Sequence, residues 1–155
     1  MKSKIFIFDV DGVMTTGQFL YSAQGKEYKV FGPHDNDGIK MIKEFLPILF
    51  VTADKRGLPI SRKRIVDDMS EELTVVREGE RLDFIEREYG LSNVFYMGDG
   101  YHDAPILNQC FYGIAPADAR IEARNAADYV TPSRAGEGAV LDACLHVIQN
   151  FFEAH

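Results

Sequence analysis

The chain is short of cysteine: Cys110 and Cys144 are all it has. Two thiols cannot build a disulfide framework, and their separation matches no metal-ligand spacing. Both stand among apolar residues, which suits small core side chains. Basic residues are outnumbered, 17 Lys and Arg against 24 Asp and Glu, for a net charge of −7. A protein held to nucleic acid through phosphate contacts needs the opposite balance, so no nucleic-acid partner is expected. No apolar run is long enough to span a bilayer, and no leader-like segment precedes the first apolar run at Ile5. These absences lead to the expectation of a cytoplasmic protein with no membrane attachment. Repeats, low-complexity tracts and linker-like stretches are missing too, so residues 1–155 read as one domain. With 46% apolar residues, that domain has enough material for a core.

What the chain does have begins with Ile5-Phe-Ile-Phe8, an apolar run of the kind that forms a strand buried on both faces. It runs straight into Asp9 and Asp11 and then Gly12. Positions i and i+2 of a strand share a face, so the two carboxylates lie side by side. Two anions that close are costly to bury unless something positive joins them. A hard divalent cation is the natural partner for carboxylate oxygens.

Beyond this point strand and helix patterns alternate. Gln18–Tyr21 and Glu27–Phe31 predict a hairpin turning near Gly25. Asp35–Leu46 carries apolar residues at helical spacing, with Asp and Asn in front to cap it and Pro47 to stop it. Strands are predicted at 48–51, 73–76, 94–97, 112–115 and 129–131. Helices are predicted at 61–69, 81–89, 103–108, 119–126 and 139–152, with Gly90 closing the second of these. The alternation predicts an α/β fold with a mostly parallel central sheet covered by helices on both faces. Ligands of such sheets bind beyond the carboxyl ends of the strands.

That rule gathers the chemistry. Asp9 and Asp11 end the first strand and Thr52 ends the second. The strand at 94–97 runs into Gly98-Asp-Gly-Tyr-His-Asp103, adding Asp99 and Asp103. A lone aspartate beside a glycine is an ordinary turn residue. Four carboxylates and a hydroxyl at one edge suit phosphoryl transfer instead. Magnesium held by Asp9, Asp99 and a backbone carbonyl, with Asp11 also in the acidic set, would draw a phosphate in. Asp9 is the candidate nucleophile and Asp11 the acid and base. Thr52 and the amides of the glycine-bearing turns are candidates to hold phosphate oxygens.

These motifs resemble the haloacid dehalogenase superfamily: Phe8-Asp-Val-Asp-Gly-Val13, then Thr52 after Leu49-Phe-Val, then Gly98-Asp-Gly-Tyr-His-Asp103. The longer stretches Asp9–Gly17, Asp35-Asn-Asp-Gly-Ile-Lys40, Ala127-Asp-Tyr-Val-Thr131 and Gly136-Glu-Gly-Ala-Val140 resemble its 3-deoxy-D-manno-octulosonate 8-phosphate phosphatases. Sialic-acid-type 9-phosphate phosphatases belong to the same group. The resemblance implies a Rossmann-like three-layer sandwich with a β-hairpin after the first strand and no cap domain. It also implies a phosphatase for a phosphorylated sugar acid or similar small metabolite. A homotetramer is implied as well, in which the hairpin, residues 17–31, lies near a neighbour's active site. The implied substrate-facing residues are Thr52, Ala53, Asp35, Arg62 and Arg81, with Asp103 behind the site.

Three departures stand against it. The family's third-motif lysine has no counterpart before Arg81-Leu-Asp-Phe84; Arg81 is the positional match, Arg77 the reserve. Arginine's planar fork is not equivalent to an ammonium. Thr52-Ala-Asp-Lys-Arg56 replaces Thr-Gly-Arg, so Lys55, Arg56 or Arg62 would have to supply a cation for a substrate carboxylate. The loop Gly32–Asp37 also differs, and His34 there is either a substrate contact or a solvated loop residue. These departures keep open a second class, a phosphatase-like binding or assembly subunit without turnover. Elsewhere the plain readings hold: His102 as a surface or supporting residue, His146 and His155 as helix and tail residues, and Phe6, Phe8, Phe50 and Phe95 as core.

Overall fold

The strand Ile5–Asp9 (β1) lies at the centre because it carries no side chain that prefers water until its last residue. All five of its residues are buried. Side chains alternate across a strand, so Phe6 and Phe8 enter one apolar layer and Ile5 and Ile7 the other. The computed structural model describes residues 3–153; His155 lies outside them. Around β1 the strands Ile48–Thr52 (β4), Leu73–Val75 (β5), Val94–Met97 (β6), Tyr112–Ala115 (β7) and Tyr129–Val130 (β8) make one sheet, in the order β5-β4-β1-β6-β7-β8. Every neighbouring pair in it is parallel. Register places Phe8 beside Phe50 on one side and Met97 on the other.

Two layers of helix cover the sheet. Asp35–Ile42 (α1) and Ala139–Val147 (α6) pack over the Phe6/Phe8 face, where Phe6 and Phe8 stack at 4.0 Å between ring centroids. Arg81–Glu88 (α3), Ala104–Gln109 (α4) and Ile121–Ala126 (α5) cover the Ile5/Ile7 face. The short helix Leu58–Arg62 (α2) continues into a wider π-helical stretch, Lys63–Asp68, that buries Ile65. The predicted helix at 61–69 is therefore present, but it starts earlier and changes pitch. α1 stops at Ile42, short of the predicted Leu46, and Phe45 is exposed, its ring 5.2 Å from that of Phe152 in a tilted pair. No side chain caps α1; His34 occupies the cap position, and the aspartates fall inside the helix, where they favour its positive end.

The hairpin Thr15–Ser22 (β2) and Gly25–Phe31 (β3) pairs only with itself and stands off the main sheet. Its pairing is irregular, Leu20 opposite Tyr28 but Tyr21 opposite Lys26, so one extra residue sits on β3. The chain fills one side of the sheet as far as β5, then crosses back to β6 on the other side of β1. The carboxyl ends of β1 and β6 thus flank the point where the winding reverses, the crevice where sheets of this kind bind ligands. No helix among the described residues is long and apolar enough to cross a membrane.

Candidate active site

Asp9 is delivered by the last residue of β1, and its Oδ1 accepts from the amide of Val10 at 2.9 Å. Asp99 arrives from the loop after β6 and rests against Gly12, whose φ is +82°. A β-carbon at residue 12 would overlap the Asp99 carboxylate, so only glycine satisfies both the turn and the approach. Carboxylate oxygens of Asp9, Asp99 and Asp103 all lie within 4.8 Å of one another. Burial pushes Asp9 well above the ordinary carboxylate range; Arg81 offsets part of this, while Asp103 and Asp99 add to it. Burial likewise pushes Asp99 up to about 7, against the hydrogen bond it shares with Asp9. Such a cluster holds more negative charge than its own protein neighbours satisfy, which is the condition that a cation relieves.

Asp103 is fully engaged within the protein. Its Oδ1 accepts from the Tyr96 hydroxyl at 2.5 Å and from Arg81 at 3.3 Å; its Oδ2 accepts from the amides of Asp99 and Gly100. It shapes the loop that carries Asp99 and also lines the cleft. Arg81, the first residue of α3, is buried, and its Nη1 meets Asp9 Oδ1 at 3.3 Å, Asp103 and Tyr96. Burial alone would lower the guanidinium's pKa, but Tyr96, Asp9 and Asp103 outweigh it and raise it. Arg77 stays exposed on the rim beside Glu80. Of the two arginines, Arg81 is the one brought to the carboxylates.

Asp11 lines the same cleft but is not in the acidic trio, which contains Asp103 instead; Lys29 of the hairpin lies 2.8 Å from Asp11 Oδ1. The Lys29 side chain is fully buried. It also contacts Asp54 Oδ2 at 3.0 Å and donates to Ser61 Oγ at 2.8 Å. Lys26 completes the group, 2.7 Å from Asp54 Oδ1 and over the Phe19 ring. Burial would raise the Asp54 carboxyl, but bonds from Lys26, Lys29 and the Gly57 amide hold it down at about 2. Nothing in the motifs pointed to Lys29; strict alternation puts Lys26 and Lys29 on opposite faces, and only the extra residue in β3 turns both inward.

The remaining expectations divide. Ala53 lines the cleft, which encloses about 600 Å³ and is walled by Asp9, Asp11, Phe19, Arg81, Asp99 and Tyr101 among others. Thr52 is buried beneath it, donating to Asp11 Oδ2 at 3.4 Å and accepting from the Asp54 amide. Asp35 is not a substrate contact: it is 1% exposed, and its Oδ1 accepts from the amides of Val140 and Leu141, tying α1 to the start of α6. Arg62 is exposed at the end of α2 and is not among the residues that wall the cleft. His34 is exposed and outside the cleft wall, while His102 stands at the rim 3.7 Å from Glu78.

Three comparisons bear on this arrangement. Residues 79–143 match the model of the haloacid dehalogenase-like hydrolases. The 3-deoxy-D-manno-octulosonate 8-phosphate phosphatase of Haemophilus influenzae is 34% identical over 152 residues, covering 94% of this chain and 83% of that protein. The cobalt-bound structure of that kind of phosphatase from the same organism superposes with a TM-score of 0.80 at 30% identity, over 96% of this chain and 88% of the other. A 3-deoxy-D-manno-octulosonate 8-phosphate phosphatase of Moraxella catarrhalis, solved in complex with magnesium, phosphate and a KDO molecule, shares the fold, with a TM-score of 0.80 at 24% identity over 95% of this chain and 86% of that one. The chain belongs to the haloacid dehalogenase-like hydrolases, in the capless group that is like the 3-deoxy-D-manno-octulosonate 8-phosphate phosphatases, and is a phosphoric monoester hydrolase.

Proposed function

We propose that the chain hydrolyses the phosphate ester of a sugar acid or a similar small polyhydroxy acid, through a phosphate bound covalently to Asp9. The observation that carries this is the Asp9–Arg81–Asp99 grouping at the carboxyl edge of the sheet, in a cleft large enough for a sugar phosphate. The donor set is all oxygen and over-rich in negative charge, which fits magnesium; Asp9 and Asp99 would hold it, since Asp103's oxygens are already taken. When bound, such an ion neutralises phosphate oxygens and lets an anionic nucleophile approach an anionic ester.

The chain's own groups carry the steps. Asp9 forms a bond from a carboxylate oxygen to phosphorus as the bond from phosphorus to the leaving oxygen breaks. The leaving oxygen keeps that electron pair and takes a proton from Asp11. Asp11, now a carboxylate, takes a proton from the water that attacks phosphorus and releases Asp9. Arg81 lines the cleft with its Nη1 3.3 Å from Asp9, which sets its charge beside the carboxylate a phosphate would approach. This supports Arg81 in the role of the family's lysine. A substrate carboxylate would meet Arg77, the rim cation whose own ion pair is weakest at 3.9 Å.

Assembly as a homotetramer with hairpin 17–31 at a neighbour's site is part of the same proposal. Its support is the apolar surface of that hairpin: Leu20, Tyr21, Tyr28 and Val30 are all at least 40% exposed. Light scattering on a sizing column tests it, and a monomer at micromolar concentration would reject it. The reaction is tested by phosphate release from a panel of sugar and sugar-acid phosphates with magnesium. Asp9→Asn is expected to abolish release of every ester; equal turnover by native and variant chains would remove Asp9 from its role.

A further inference from the structure

Behind two carboxylates of the cleft wall, Asp11 and Asp54, lies a fully buried cation that the reaction above leaves without a task. Lys29 comes from β3, a strand that belongs to the self-paired hairpin rather than the central sheet. It crosses from there to Asp11, Asp54 and Ser61, at 2.8, 3.0 and 2.8 Å. Burying an ammonium is costly unless good partners surround it, and here one hydroxyl accepts its hydrogen bond and two carboxylates pair with its charge. The fit is close on all sides. A β-carbon on Gly57 would overlap Asp54 and press on the Lys29 side chain, with Lys29 Nζ at 3.0 Å. Phe19 lies opposite Lys29 in the hairpin and under Lys26, so the strand pairing itself aims the two lysines.

We propose that Lys29 is a positioning residue for Asp11. It holds Oδ1, Thr52 holds Oδ2 from below, and the carboxyl is thereby fixed in one rotamer at the wall of the cleft. The hairpin must be seated on Asp54 for this to happen, so docking of the hairpin is a condition of proton transfer rather than only of shelter. Misplacement of an acid by about 1 Å can cost up to a hundredfold in rate. The inference rests on Asp11 being the acid, and the test separates the two claims.

The experiment compares kcat/KM for the fastest primary alkyl phosphate of the panel with that for 4-nitrophenyl phosphate. The aryl leaving group departs without a proton and the alkyl one does not, and kcat/KM reports the chemistry only up to that departure. Lys29→Met is expected to lower the alkyl value at least about tenfold more than the aryl value, and Lys29→Arg to recover part of the loss. In an Asp11→Asn background, Lys29→Met should add nothing, since its route is through Asp11. An equal fall for both esters, or a full further loss in that background, overturns the proposal. If Asp11→Asn itself treats both esters alike, the assignment of Asp11 as acid fails first and Lys29's role fails with it. Circular dichroism checks folding. If Lys29→Met does not fold, Ser61→Ala, which removes only the lysine's hydrogen-bond acceptor and leaves its two ion pairs, should produce the same ester bias in smaller measure. No bias there also overturns the proposal.

Discussion

Removing divalent ions should make this fold lose stability as pH rises, and Asp99 sets the size of the effect. Its carboxyl titrates at about 7 in the folded chain against an ordinary 3.8, because burial and the neighbouring carboxylates disfavour its charge. A raised folded-state value means that the native form binds a proton the unfolded chain has already released. That contribution is therefore complete below pH 4 and is lost progressively until about pH 7. The gap between the two values corresponds to about 4 kcal/mol as a ceiling, at about 1.4 kcal/mol per tenfold. Water entering the open cleft screens the group, so about 2 kcal/mol is a fairer expectation, or roughly 5 °C in melting temperature for a chain of this size. Asp9 shifts in the same direction and adds to the trend. The assay is thermal melting at pH 5 and pH 8, in EDTA and in millimolar magnesium. The metal-free chain should melt lower at pH 8, magnesium should erase most of that drop, and Asp99→Asn should flatten it without magnesium. Asp99→Asn should also be the more stable protein at pH 8 in EDTA while failing to bind the ion. A native slope equal to that of Asp99→Asn would refute the reasoning, since every other titrating group is common to both.

Three further outcomes follow from the geometry. Asp35→Ala strips the acceptor from the first amides of α6 and should cost about 1–2 kcal/mol in urea unfolding, with KM unchanged; a raised KM would return Asp35 to the cleft. Gly12→Ala forces a β-carbon into the Asp99 carboxylate at a φ of +82°, so magnesium affinity measured by calorimetry should fall more than tenfold. Arg77→Ala should raise KM for a sugar-acid phosphate severalfold and leave KM for a neutral sugar phosphate within twofold; equal changes would show that the rim arginine does not read a carboxylate.

The parts of the fold written in short-range patterns were legible in the sequence. β1, β4 and β6 are buried runs without polar interruption, and each ends on the residue or loop that carries its functional group. That Asp9 and Asp99 meet was legible because a parallel sheet brings strand ends to one edge whatever their order; the sequence put Asp11 in the metal set with them, where the structure has Asp103. What failed depended on contacts between distant segments. Asp35 stands in a stretch that matches the family, yet its partners are residues 140 and 141, more than a hundred positions away. The helix at 61–69 changes pitch where the period of its apolar residues gives no warning. Lys29 was hidden by a one-residue irregularity in the hairpin, since such a shift reverses which side chains face inward.

The substitution at the third motif is better understood from Arg81's contacts than from its identity. A compact ammonium and a planar fork differ most when the fork binds through two nitrogens. Here a single atom, Nη1, meets Asp9, Asp103 and Tyr96 within 3.3 Å, as the head of a lysine would. Arginine keeps its charge under burial that would discharge many lysines, so a site this enclosed gains a permanent cation from the exchange. The reading of this chain as a subunit without turnover rested first on the absent lysine. With a buried guanidinium against Asp9, that absence no longer argues for a silent site.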